Sequence, residues 1–390
     1  MDDIVVIGEN LSSVTTRALT LEPAVANPSA NSDPVTLEDV ARRVGVSART
    51  VRRALDGGRV AAWDCTARRE EAIRRAAEEL GYVYRPNAAA RTMTTGRFNS
   101  VSLLMSTRAG QGLLIQEMLD GICDELEEWN LHLSLIRLPD RQLTDADSLP
   151  KVFREGMTDG LLIDYFNEIP AGMEAAMNSL DIPTVWINSQ HPADCAYFAD
   201  AGAARRAVEE MIKAGHRRIL YADFSNPAGQ TPRHYTGTER RRGYEQAMTA
   251  AGLKPLILQE NVPHLNRVAF ARDWLCQHRQ SLPTAAFCYH ISSAISLREG
   301  ARDAGLRLPD DLQVACFADR IPDLAYAEIP AMVNPWHDLG RAAARLLLAK
   351  IAAPGTHPAP VILPFTWVNA DRLRPPANAR KAARPAHATL

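Results

Sequence analysis

From Val101 onward the chain repeats one pattern: a short apolar run, a turn, then a stretch whose apolar residues recur at helical spacing. The runs are "VSLLMS", "LHLSLIRL", "GLLIDYF", "PTVWINS", "RRILYADF", "TAAFCYH" and "LQVACFAD". Between them lie stretches such as "GLLIQEMLDGICDELEEWN" and "GAARRAVEEMIKAGH". Apolar runs of this length, alternating with amphipathic helices, specify βα units and a mostly parallel sheet. About 270 residues of such units exceed what one open sheet uses, so the pattern predicts two α/β lobes with a cleft between them. Ligands of such sheets bind outside the carboxyl ends of the strands.

The segment before this region is built differently. In "VTLEDVARRVGVSARTVRRAL", residues 35–55, Thr36 offers an N-cap and Asp39 closes a capping box, while Val40, Ala41 and Val44 share one helical face. Gly45 stops that helix, Ser47 caps a second, and Val51, Ala54 and Leu55 give the second its own apolar face. A third helix follows in "TARREEAIRRAAEELGY", with Ala72, Ile73, Ala76, Ala77 and Leu80 at helical spacing. If the apolar faces pack together, Arg49, Arg52 and Arg53 must point outward. With Ser47 and Thr50 they stand where the recognition helix of a helix-turn-helix presents side chains to base edges and phosphates.

Charge supports that reading. Residues 35–97 hold thirteen arginines and no lysine against eight acids, a formal balance of +5, while the rest of the chain stands at −7. A small basic module on an acidic body is the electrostatic footprint of nucleic-acid binding. Hydrophobic residues at 46% and charged ones at 23% are ordinary for a globular protein, and no stretch approaches the roughly 18 apolar residues of a membrane helix. The expected compartment is the cytoplasm. Six cysteines lie scattered without a C-x-x-C pair, which argues for buried free thiols over a disulfide framework or zinc site. The chain shows no P-loop, no G-x-S-x-G elbow, no metal-ligand cluster and no G-x-G-x-x-G opening its first βα unit. Neither catalysis nor a cofactor is therefore expected.

The expected organisation is a flexible arm at 1–34, a helix-turn-helix domain at 35–84, a hinge at 85–98, a two-lobed core at 99–373 and a flexible tail at 374–390. In this order the chain resembles the lactose/galactose/purine repressor family over roughly residues 35–372. The likeness is carried by "TLEDVARRVGVSARTVRRAL", "EELGYVYRPNAAARTMTTG", "GHRRI", "GTERRRGYEQAM", "GLRLPDDL" and "LGRAAARLLLAKI". It implies an all-α helix-turn-helix head plus hinge helix, followed by a two-lobed α/β periplasmic-binding-protein-like (type I) core. It also implies a homodimer on double-stranded operator DNA, acting as a repressor under a small-molecule effector: a sugar, nucleobase or organic acid.

The resemblance assigns roles. Ala48, Arg49 and Arg53 fall where the family reads bases, and Ser47, Thr50 and Arg52 where it meets phosphates. Two arginines at base-reading positions favour guanine, whose O6 and N7 accept a forked guanidinium. In the hinge, Met93 takes the place of a leucine that wedges into the minor groove, with Asn87, Ala90 and Arg91 beside it. Arg240 matches a cleft arginine that holds ligand carboxylates or hydroxyls, with an interlobe salt bridge as its other possible role, and Asp200 lies at a position near the cleft. The chain also departs from the family. Asp56 replaces an asparagine, "VAAWDCT" is longer than expected, Tyr289, His290 and Ile291 stand where the family commonly has Asn-Asp, and the acid of "CFADR" is displaced to Asp319. His290 and Asp319 then stand in for the missing polar pair. Two other readings remain open: a regulator answering to a protein partner or to nothing, and an enzyme acting on a cleft ligand.

Overall fold

Three helices are described in the first of the two units into which the chain divides, Met1–Arg91 and Thr92–Leu390. The structure, a computed structural model, describes residues 35–55, 64–84, 97–108, 114–145, 147, 149–150, 153, 157–165, 169–227, 229, 234–320 and 328–377. Helix α1 (Leu37–Val44) opens on the expected capping box: Thr36 Oγ1 accepts the Asp39 N–H at 3.3 Å, and the Asp39 carboxylate accepts the Thr36 N–H at 2.9 Å. Gly45 closes it in the left-handed region, φ 73°, where a side chain would be strained. Ser47 Oγ then accepts the Thr50 N–H and starts α2 (Ala48–Leu55). With α3 (Asp64–Glu79), these helices bury Val40, Ala41, Val51, Ala54, Ile73, Ala76 and Ala77 in one small core. Two side chains tie α3 in place, Glu79 to Arg43 at 3.3 Å and Arg74 to the Ala54 carbonyl at 3.4 Å.

In the second unit the strands are β1 (Ser100–Ser106), β2 (His132–Leu138), β3 (Gly160–Asp164), β4 (Thr184–Ile187), β5 (Cys195–Phe198), β6 (Ile219–Asp223), β7 (Leu256–Gln259), β8 (Ala285–Cys288), β9 (Gln313–Ala318), β10 (Ala331–Val333), β11 (Val361–Leu363) and β12 (Thr366–Val368). The helices between them are α4 (Gln116–Glu127), α5 (Met173–Asn178), α6 (Asp200–Lys213), α7 (Tyr235–Ala250), α8 (Arg267–Gln277), α9 (Ile291–Asp303) and α10 (Trp336–Ala352). Two six-stranded sheets result, ordered β11-β5-β4-β3-β1-β2 and β12-β10-β9-β8-β6-β7. All pairings are parallel except β10 with β12. The seven apolar runs became β1–β4, β6, β8 and β9, and the two lobes are as the pattern predicts. Among them, β3, β6, β8 and β9 are buried at every position, which is why their sequences are continuously apolar rather than alternating.

The helices do not stay with the strands that precede them. α6 leaves β5 of the first sheet but packs on the second, where Ala203, Ala204, Ala207 and Met211 join Tyr221, Tyr244, Phe287 and Phe317. α10 makes the return exchange. It leaves β10 of the second sheet and lays Leu339, Ala343 and Leu347 over Leu162, Val185 and Ala196 of the first. Close helix packing uses glycine: a Cβ on Gly243 of α7 would run into the Ala201 carbonyl of α6, and one on Gly340 of α10 into the Met118 carbonyl of α4.

Candidate functional site

Arg49, Arg52 and Arg53 project from α2 into solvent and form no ion pair among the described residues. The cause is local, since the buried Val51 and Ala54 fix the opposite face of this short helix. Ser47 is exposed, whereas Ala48 and Thr50 are half-buried. The hydroxyls of Ser47 and Thr50 meet at 2.8 Å, so part of their hydrogen-bonding capacity is used in capping α2. Asp56 and the hinge residues Asn87, Ala90, Arg91 and Met93 lie outside the described residues.

The second candidate site is where the carboxyl edges of the two sheets meet. Three hydrogen bonds mark the meeting. His234 Nε2 donates to the Asn188 carbonyl at 2.8 Å, Tyr235 Oη donates to Asn188 Oδ1 at 3.1 Å, and the Phe198 N–H donates to Tyr235 Oη at 3.3 Å. Asn188 directly follows β4 and Phe198 ends β5 of the first lobe, while His234 and Tyr235 open α7 of the second. Burial pushes the His234 imidazole down to about 4, so it sits between the lobes as a neutral donor.

Arg240 is one turn further along α7. Its Nε donates to Asp200 Oδ1 at 2.6 Å and its Nη1 to the Tyr289 carbonyl at 2.8 Å, and its guanidinium carbon lies 4.0 Å from the centroid of the Phe317 ring. The Arg240 and Asp200 side chains are 6% and 0% exposed. Burial alone would push the guanidinium toward losing its proton, but the adjacent Asp200 charge outweighs it and Arg240 is held above its usual range. Burial raises the Asp200 carboxyl, and the charge and hydrogen bond of Arg240 oppose that rise. Asp200 is the first residue of α6, so it fastens the crossover helix to α7 in the second lobe. Nη2 of Arg240 forms no hydrogen bond among the described residues.

His290 caps α9, its Nδ1 accepting the Ser292 N–H at 3.3 Å, which leaves the Nε2 proton to face Asp319 Oδ2 at 3.0 Å. Asn334 Nδ2 donates to the other Asp319 oxygen at 3.1 Å. Burial raises the Asp319 carboxyl, but the hydrogen bond from His290, with the charges of Arg240 and Arg320, carries it below the ordinary range. The structure therefore brings together all four residues expected at the cleft as two pairs, Arg240 with Asp200 and His290 with Asp319.

Sequence reasoning did not single out the opposite wall. Ser106 Oγ and Tyr165 Oη both donate to Asp140 Oδ1, at 2.6 and 2.8 Å. Asp164, 2% exposed at the end of β3, is pushed up to about 7 by burial. Across the cleft Asp223 ends β6 and accepts from Ser225, Asn226 and the Asn226 amide side chain. A shared signal could have found them, because each polar residue stands at or just past the carboxyl end of an apolar run.

Among the described residues no group of side chains could hold a metal ion, and no helix is long and apolar enough to cross a membrane. Residues 208–370 match the periplasmic binding protein-like domain. The helix-turn-helix transcriptional regulator CelR of Thermobifida fusca is 28% identical over 84% of this chain and 95% of its own length. Catabolite control protein A of Priestia megaterium is 25% identical over 80% and 91%. The lac repressor bound to ONPG in its repressed state shares the fold at a TM-score of 0.67, with 19% identity over 86% of this chain and 98% of its own. A CelR–cellobiose complex does so at 0.56, with 24% identity over 86% and 98%. Head, crossover lobes and relatives agree: the chain is similar to regulators of the lactose/galactose/purine repressor type and is a helix-turn-helix transcriptional regulator, not an enzyme.

Proposed function

We propose that the protein is a cytoplasmic, homodimeric repressor that holds a two-fold operator and changes its grip when a small molecule occupies the interlobe cleft. One recognition helix offers few base contacts, and two-fold proteins read two-fold sites. In this reading Ala48, Arg49 and Arg53 read bases, Ser47, Thr50 and Arg52 meet phosphates, and Asn87, Ala90, Arg91 and Met93 act in the hinge at 85–98, with Met93 wedged into the minor groove.

The observation that carries the effector half is the convergence of strand ends from both lobes around Arg240–Asp200 and His290–Asp319. The chemistry there favours a neutral, hydroxyl-rich ligand over an organic acid. Arg240 is already neutralised by Asp200, and the surrounding strand ends carry Asp140, Asp164, Asp223 and Asp319. A carboxylate would meet mostly acceptors and negative charge. Hydroxyls, in contrast, can donate to Asp319 and to Asn334 Oδ1, which is buried with no partner among the described residues, and can accept from Arg240 Nη2. The cellobiose-bound relative is consistent with this class.

The test is sequencing of DNA selected by the protein, then titration of the recovered operator in the presence of sugars, nucleosides and organic acids. A sugar or other polyol should shift operator affinity and an organic acid should not. Indifference to the whole panel favours a regulator without a small effector, and consumption of a ligand would return the enzyme reading.

A further inference from the structure

A second concavity lies in the second lobe, at the sheet edge away from the cleft. Its volume is about 270 Å3, near the lower end of the roughly 300 to 1,000 Å3 of small-molecule pockets. β9 starts there with Gln313 and spans six residues to end at the cleft, and α9 runs from His290 at the cleft to Arg298 and Arg302 at this basin. At strand and helix rises the two sites stand roughly 20 Å apart.

The lining is strongly one-sided in charge. Among the described residues, Arg298, Arg302, Arg372 and Arg374 face the space against one carboxylate, that of Glu328, with buried Leu312 and Ile329 beneath them. Glu328 pairs with Arg372 at 3.6 Å, Arg372 also meets Asp371 at 3.8 Å, and the Glu328 side chain is largely exposed. Arg302 pairs with Glu299 on its own helix, outside the lining. The Arg374 backbone is fixed at both polar atoms, its N–H donating to Gln313 Oε1 at 3.0 Å and its carbonyl accepting from His216 Nε2 at 2.8 Å. Gln313 and His216 are 3% and 1% exposed, so one of the four arginines is carried on rigid ground. Burial, then the like charge of Arg302, holds the Arg298 guanidinium below its usual range against the opposing charges of Glu299 and Glu328.

We propose that this basin binds a small organic oxyanion, a phosphate ester or a di- or tricarboxylate, at a site separate from the effector cleft. Forked guanidinium groups match both oxyanions, and the apolar floor accommodates a short carbon body. A concave basin of this size admits a metabolite rather than a duplex.

The experiment is calorimetry on the full chain at constant ionic strength, with citrate and glycerol 3-phosphate as probes and chloride as the balancing salt. Because the α2 arginines also attract anions, every measurement uses a chain carrying Arg49→Gln and Arg53→Gln. One equivalent per chain should bind, and the preferred probe identifies the oxyanion. Arg298→Gln and Arg374→Gln should each weaken binding about tenfold, the scale of one charge-assisted contact. Glu328→Gln should tighten it severalfold, a gain that damaged folding could not produce. Failure of both probes to bind, or affinities indifferent to these three substitutions, would overturn the proposal.

Discussion

Arg240 shows how one side chain can hold an architecture and still face a ligand. Removing it leaves Asp200 charged and sealed from water, so Arg240→Ala should cost roughly 3 to 5 kcal/mol in urea unfolding, and Arg240→Ala with Asp200→Ala together less than the sum of the singles. Additive losses would mean that the pair is not coupled. Arg240→Lys should retain part of the stability yet lose most of the effector response, since an ammonium cannot reproduce the planar fork. Two other buried groups act in opposite directions with pH. His234 sits near 4 against an ordinary 6.5, so in that interval the unfolded chain takes the proton and stability falls as the solution is acidified from about 6.5 toward 4. Asp164 sits near 7 against an ordinary 3.8, so the folded chain keeps the proton and this contribution falls as pH rises through that interval. Relative to the parent, Asp164→Asn should therefore gain in melting temperature as pH rises from about 4 to 7, and His234→Gln as pH falls from about 6.5 to 4. Parallel melting curves across pH for parent and variants would refute both assignments.

At the scale of elements, α6 against α7 is the contact on which the cleft depends. A methyl group at Gly243 would strike the Ala201 carbonyl and lie 2.8 Å from the Ala204 Cβ, forcing the helices apart one turn from Arg240. Gly243→Ala should destabilise by about 1 to 3 kcal/mol and blunt the effector response, and a neutral outcome in both would show that the helices yield freely. On α2, Arg53→Ala should cost about 1 to 3 kcal/mol on the operator and relax preference at one base pair, whereas Arg52→Ala should weaken all sequences alike. Equal, sequence-independent losses would place the base-reading face elsewhere. These elements differ in how legible they were. The caps Thr36, Ser47 and Gly45 announce α1 and α2 because each satisfies a local backbone requirement written in a few neighbouring residues. The doubly buried strands announce themselves by continuous apolar runs, but β10, β11 and β12, at three residues each, are too short to carry a period. The pairing of Arg240 with Asp200 and of His234 with the Asn188 carbonyl joins residues 40 and 46 apart, and a backbone acceptor leaves no mark in the side-chain pattern. The resemblance supplied Arg240 and Asp200 as separate cleft positions, and only the fold shows that they meet.

For the molecule as a whole, the basic module on an acidic body predicts operator affinity that falls steeply with salt, with a log-log slope near −0.9 per phosphate neutralised. A flat response in filter binding would contradict the assigned DNA face. Light scattering at micromolar concentration should report a dimer. The exchange of helices between lobes also bears on how the chain is made. Strands β1 to β5 are synthesised before any of the second lobe, yet one face of their sheet waits for α10, and their outer edge waits for β11. The second sheet likewise completes its edge only with β12. A chain still on the ribosome therefore carries an open apolar sheet until about residue 352 has emerged, and unpaired strand edges until residue 368. A stop codon placed late in the reading frame should thus yield an aggregating product, even though most of both lobes has been translated.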